Sequence, residues 1–448
     1  MTPDSDSAKD PSGVRAADCD ILVIGGGPAG STAAILLAEK GYRVVVLEKT
    51  RHPRFHIGES LLPANLPLLD RLGVADRVRA IGMEKWCAEF ISHWDGRQQE
   101  FLFANALDKS MPMSYQVRRS EFDQILIRRA AEQGATIVEG CRVRDVEFLG
   151  NERIRVHATQ DDGRTVSWET AQLIDASGRD TFLGTRLQIK RRNKKHNSAA
   201  MYAHFTGAQR APGRRAGNIA IYWFDHGWFW FIPLADGATS VGAVVWPYYM
   251  KGRAVPVREF FLSTIAQCPP LAERLSRATM CTDVHATGNF SYMCDRCYGK
   301  NFLMIGDAFA FIDPVFSSGV MLAMMGGSAA AQATDAILRN PSGRMDALRR
   351  FDKLMRRGPS EFSWFIYRVT NPTMRELFLH PRNVLRMEEA LLSLLAGDVY
   401  GRTPFWTSLY LFKALYYMIS FAHLGRTLRA VRRRAINIRA EPEALTGE

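Results

Sequence analysis

The sequence lacks the basic, apolar and small-residue succession of a secretory leader, and its seven cysteines are scattered and odd in number. A disulfide framework is thereby excluded, and a reducing compartment, the cytoplasm by default, is expected. The one close pair, Cys294 and Cys297 in "CDRC", has no second CxxC or spaced histidine pair to complete a zinc tetrahedron, so no metal is expected. Long apolar runs are missing too. Residues 404–424 approach membrane-spanning length, but Lys413 and His423 interrupt them and arginines crowd the flank. They read as a helix packed over the fold or lying on the inner face of a membrane, not as a span. Acidic residues are too few to balance basic ones, 46 against 58, leaving a net charge of +12. That favours an acidic partner without naming one.

What is present suits a folded protein of two or three units: 448 residues, 47% hydrophobic and 23% charged. Residues 1–17 are polar and turn-rich and read as a mobile tail. Then "CDILVIGGGPAGSTAAILLAEKGYRVVVLEK" runs strand, glycine turn, helix, strand. Gly25 permits the tight turn, Gly27 lets backbone approach a pyrophosphate, and Gly30 lets the helix lie close to the sheet. Ala29 sits in the same turn, and Glu48 closes the unit where it can accept from a ribose hydroxyl. This is a dinucleotide site. No second fingerprint follows, so a tightly held nicotinamide domain is not expected.

Further along, "NFLMIGDAFAFIDPVFSSG" ends a strand at Gly306-Asp307 and leads into a small-residue helix with Ser317 or Ser318 at its cap. It resembles the second flavin fingerprint of FAD-dependent enzymes with the aromatic-hydroxylase fold, which implies that Asp307 binds the FAD ribityl chain. "RRSEFD" resembles the R-x-x-F-D segment that places Arg119 near the flavin; a helix-start salt bridge is the other reading of that residue. "LIDASGR" is similar to the family's Asp-Gly turn, departing from it at Ala176 and Ser177. "HIGESLLP" resembles the G-E-S-x-x-P turn, implying that Glu59 and Ser60 lie close to the flavin ring. The resemblance covers roughly residues 18–340. The fold implied is α/β: a Rossmann-like FAD-binding domain from residues 18–80, 116–182 and 298–340, an antiparallel substrate sheet from 81–115 and 183–297, and a helical C-terminal region from 341 to 448. The basic run "KRRNKKH", residues 190–196, reads as a loop interrupting that sheet, a solvated face or a contact for an acidic carrier protein.

"DHGWFWFIPL" is bulky on both faces of a strand: alternation puts Trp228 and Trp230 on one and Phe229 and Phe231 on the other. Packing alone accounts for such a strand. Yet Trp228, Trp230, Ile232 and Pro233 match the W-x-W-x-I-P pattern of flavin-dependent halogenases, and Phe311, Pro314, Ser317 and Gly319 match their F-x-x-P-x-x-S-x-G pattern. The chain therefore resembles that family, in its phenol- or pyrrole-type branch. Ser317, Ser318 and Gly319 would offer backbone N–H groups and a helix N-terminus to a halide, and equally to an anionic reduced flavin.

The resemblance implies FADH2 supplied by a separate reductase, and oxygen giving a flavin hydroperoxide that a chloride or bromide ion attacks. Hypohalous acid then passes to a lysine that delivers halogen to an electron-rich aromatic, free or held on an acyl or peptidyl carrier protein. Lys85 stands where the family places that lysine, although a lysine at a strand edge is ordinarily solvated. No nucleic-acid partner is expected. Two rivals stay open: a monooxygenase or reductase of the same fold without halide chemistry, and a membrane-associated flavoprotein that catalyses little.

Overall fold

The computed structural model describes residues 17–150, 152–193, 196–288, 291–369, 371–381, 383–401 and 403–439. The polar tail up to residue 16, and Lys194 and Lys195 of the basic run, lie outside the described residues. Ala17 already belongs to the first strand, Ala17–Ile24, whose apolar run Ile21–Ile24 is buried on both sides as a central parallel strand requires. It pairs in parallel with Val44–Glu48 on one side and Thr165–Asp175 on the other, and Phe302–Met304 joins the latter strand in parallel. Antiparallel strands Cys141–Phe148 and Ile154–Gln160 extend the sheet. The helices Pro28–Ala38, Arg119–Glu132 and Gly319–Arg339 contribute to the core of this layer. Distant chain segments thus meet at one sheet.

The second sheet has eight strands, and the Trp strand Gly227–Pro233 lies at its middle between Ile219–Phe224 and Thr239–Val245. One expectation is corrected here: the sheet is not wholly antiparallel, because Cys87–Ser92 pairs in parallel with Ile219–Phe224. Those strands are far apart in sequence, so no hairpin constrains their direction. A second correction concerns the basic run. Lys190–Arg192 is a short strand paired with Tyr292–Cys294, outside the substrate sheet, and the Lys190 ammonium sits 4.0 Å from the Tyr292 ring centroid. That contact gives the stem an apolar seat while the charge reaches the Thr181 hydroxyl at 2.9 Å.

Alternation along the Trp strand separates two cores. Trp228, Trp230 and Ile232 join one cluster with the C-terminal helices, including Phe362, Phe378, Leu391 and Phe412. Phe229 and Phe231 join another with Phe261 and Leu271. The sheet is bulky on both faces because both are buried. Trp230 fits because its neighbour is Gly242, where a Cβ would lie 2.2 Å from the indole ring, and its Nε1 donates to Ser240 at 3.1 Å.

Among the described residues no helix is long and apolar enough to cross a membrane. The segment with that length forms the helix Trp406–Ala422, which buries Leu409, Phe412 and Tyr416 inward and pairs Lys413 with Glu361 at 2.8 Å.

Candidate active site

A cavity of about 660 Å³ opens between the two sheets. The first strand ends in the glycine turn, where Gly25 has φ +100° and a Cβ would meet the Ala176 carbonyl oxygen at 2.4 Å. At Gly30 a Cβ would fall 2.0 Å from the Gly25 oxygen, so the helix approaches the sheet more closely than any side chain permits. At Gly27 a Cβ would meet only the Arg54 guanidinium, at 3.6 Å, and the backbone is open to the cavity. Gly30→Ala is expected to abolish flavin retention, read from the visible absorbance of the purified protein, while Gly150→Ala, with nothing within 4 Å, leaves it intact. Equal flavin content in both would show the close approach to be dispensable.

Glu48 is held by the N–H groups of Gly26 at 2.8 Å and Thr50 at 3.0 Å and by the Thr50 hydroxyl at 2.7 Å. Arg119 makes a helix-start salt bridge from a place on the cavity wall. It lines the cavity, and it forks onto Asp123 at 2.8 and 3.0 Å while donating to the Ile57 carbonyl at 2.8 Å. Arg54 reaches the same aspartate at 3.3 Å. The Asp307 carboxyl is pushed up to about 6 by burial, against the opposing pull of Arg119 and Arg179. It accepts no hydrogen bond from a described residue, which leaves both oxygens for a hydroxylated ligand chain. An open glycine turn, a fixed acidic strand end and an unengaged carboxyl at Asp307 fit FAD.

The helix Gly319–Arg339 points its N-terminus into this space through Gly319 and Val320. Ser317 before it adopts φ +55°, and Pro314 and Ser317 line the cavity. Ser318 occupies the cap position but makes no cap hydrogen bond, and its buried hydroxyl has no partner among the described residues. An anion seated there would meet free N–H groups and the positive helix end. Of the residues singled out from sequence, Gly25, Gly27, Ala29, Glu48, Glu59, Ser60, Arg119, Trp228, Trp230, Ile232, Asp307, Pro314, Ser317 and Gly319 line the cavity. Gly30, Lys85, Pro233, Gly306 and Ser318 do not.

Lys85 ends the strand Met83–Lys85, paired with Ser114–Gln116, and is 1% exposed. Its ammonium donates to Ser60 Oγ at 3.0 Å and to the Leu61 carbonyl, and lies 5.2 Å from the Phe103 ring centroid. Burial pulls its pKa down to about 7. Sequence reasoning missed His204, whose Nε2 meets the Glu59 carboxylate at 2.9 Å, both groups 2% exposed. It also missed Arg54 and Asp123. No motif spacing marks His204 or Arg54, whereas Asp123 is the aspartate of R-x-x-F-D, one helical turn after Arg119. Cys294 and Cys297 are buried free thiols, the latter donating to Asp352 at 3.3 Å, and no metal-holding group of three or more ligands occurs among the described residues.

Fold and cavity together define an FAD-dependent enzyme. The FAD binding domain family matches residues 18–346. The chain is 38% identical over 346 residues to flavin-dependent halogenase armH3 of Armillaria mellea, covering 71% of this chain and 68% of that one. It is 30% identical over 410 residues to the 1H-pyrrole-2-carbonyl-(peptidyl-carrier protein) chlorinase of Pseudomonas fluorescens, 86% of this chain and 90% of the other. The protein belongs to the flavin-dependent halogenases. Among solved structures it superposes on the myxobacterial chondrochloren halogenase CndH with TM-score 0.76 at 32% identity, over 87% of this chain and 92% of that one. A flavoprotein/dehydrogenase of Cytophaga hutchinsonii gives TM-score 0.81 at 27% identity, over 91% and 100%.

Proposed function

We propose that the chain halogenates an electron-rich aromatic acceptor with chloride or bromide, and that Lys85 delivers the halogen. The observation that carries this reading is the position of Lys85: a fully buried ammonium whose hydrogen-bond acceptor, Ser60, lines the flavin cavity. Bound reduced FAD would supply the two electrons that, with oxygen, turn halide into an electrophile. The balance is FADH2, O2, halide, a proton and Ar–H on one side and FAD, Ar–halogen and two waters on the other. A separate reductase supplies FADH2, consistent with a single dinucleotide fingerprint.

This chain's own groups have assignable tasks. The Gly319 helix end seats the halide, Trp228 and Trp230 wall the acceptor off from the flavin, and Ser60 hands the oxidised halogen species to Lys85. The relative that chlorinates a carrier-bound pyrrole, and the net charge of +12, support an acceptor carried on an acidic protein.

The test supplies reduced FAD, oxygen and bromide or chloride with a panel of phenols and pyrroles, free and carrier-bound, and reads products by mass spectrometry. Halide-dependent product supports the reading. Oxidised or reduced product without halogen, whatever the halide, would favour the second reading, which the likeness to the Cytophaga flavoprotein/dehydrogenase supports.

A further inference from the structure

A second cavity, of about 560 Å³, lies under the last helix, Leu424–Arg439. Arg375, Arg426, Arg429, Arg433 and Arg434 line it, and among the described residues Asp225 is the sole carboxylate in the lining. Asp225 already accepts from Trp94 Nε1 at 2.8 Å. The helix is exposed over most of its surface. Its arginines at 426, 429 and 433 line the cavity, while Leu424, Leu428 and Val431 stand 49%, 58% and 55% exposed. The guanidinium groups of these three exposed arginines gather over one open space. Burial, with the charge of Arg426, pulls the Arg375 guanidinium down to about 10; burial, with the charge of Arg368, does the same to Arg434.

Like charges gathered in this way call for an anion. Guanidinium forks match phosphate oxygens in pairs, and Arg375, Arg426, Arg429 and Arg433 against one carboxylate among the described residues suit a multiply charged group better than a single halide or carboxylate. The space extends well beyond one inorganic phosphate, and Trp223 and Trp246 give it an apolar floor for an organic remainder. The cavity also adjoins the chemistry. Trp223 is the cross-strand partner of Trp228. Arg434 meets His196 Nδ1 at 3.1 Å, and because a guanidinium can only donate, the imidazole proton sits on Nε2 and goes to Asp313 at 2.8 Å. Asp313 in turn accepts from Val315 N–H at 3.3 Å, in the turn that carries Pro314 and leads to Ser317.

We propose that the arginine-lined cavity under the last helix binds a phosphate ester of an organic ligand, distinct from FAD. The inference stands apart from the halogenation reading, since its test reads binding and not turnover. FAD-loaded protein is titrated calorimetrically with 4′-phosphopantetheine, AMP, their dephosphorylated counterparts and inorganic phosphate, and separately mixed with vesicles of neutral and of anionic phospholipid. Arg429→Glu/Arg433→Glu, both positions on the exposed helix, and Arg375→Met serve as variants. The expected result is binding of a phosphate ester but not of its dephosphorylated form, weakened at least tenfold in the double variant and weakened by added salt. Inorganic phosphate bound as tightly as the esters would mean an adventitious ion only. Partition onto anionic vesicles without binding of any soluble ester would make the helix a membrane contact instead. Ester binding unchanged in both variants, or none at all, would overturn the proposal as well.

Discussion

Lys85→Met lowers halogenated product by about a thousandfold, within the range for a positioned proton-handling group, while oxygen consumption by the reduced flavin continues. The expectation follows from what surrounds the side chain. Its ammonium has a hydroxyl, a carbonyl and an aromatic face for company and, among the described residues, no carboxylate within ion-pair distance, so its charge rests on the contacts it makes. Such a group is expensive to keep. With a pKa near 7 in the fold against the ordinary 10.5, the unfolded chain holds the proton over a window in which the folded one has released it. Stability therefore rises with pH from about 7 to about 10.5, and the penalty of the buried charge is fully present below that window. Methionine removes the penalty. The variant should be more stable than the parent in urea below neutrality, with the advantage fading as pH climbs through the window. A variant that lost activity and stability together would assign Lys85 a packing role.

Much of the architecture is legible in the sequence because the responsible interactions are local. The glycine turn follows from steric needs within a few residues, and the two faces of the Trp strand follow from a period of two. Pairings between distant segments are not legible. Ile219–Phe224 runs parallel to Cys87–Ser92 because chain crossing, and no nearby turn, sets their direction. Glu59 reads as a flavin neighbour, yet nothing around it announces His204, 145 residues on. The arginines of the last helix read only as a dense flank of the apolar stretch before them. Only the placed helix reveals that they line a cavity, since the same spacing serves either face.

The His204 pair yields the second large effect. Both partners are 2% exposed, and Glu59 belongs to the cavity wall, next to Gly58 at φ +105° and Ser60, the acceptor of Lys85. His204→Leu would leave that carboxylate buried without its hydrogen-bond partner. Breaking a buried pair from one side costs about 3–5 kcal/mol, whereas replacing both members by apolar groups is often neutral. The single variant should lose that much in urea unfolding, and Glu59→Leu/His204→Leu should recover most of it. Recovery of stability need not restore the enzyme, because the wall carrying Ser60 would have lost its anchor across the second sheet. Flavin affinity should stay weakened in the double variant even where its folding is restored. A single variant as stable as the parent would mean that the carboxylate finds water or a proton in place of His204, and the pair would then contribute nothing to holding the cavity wall.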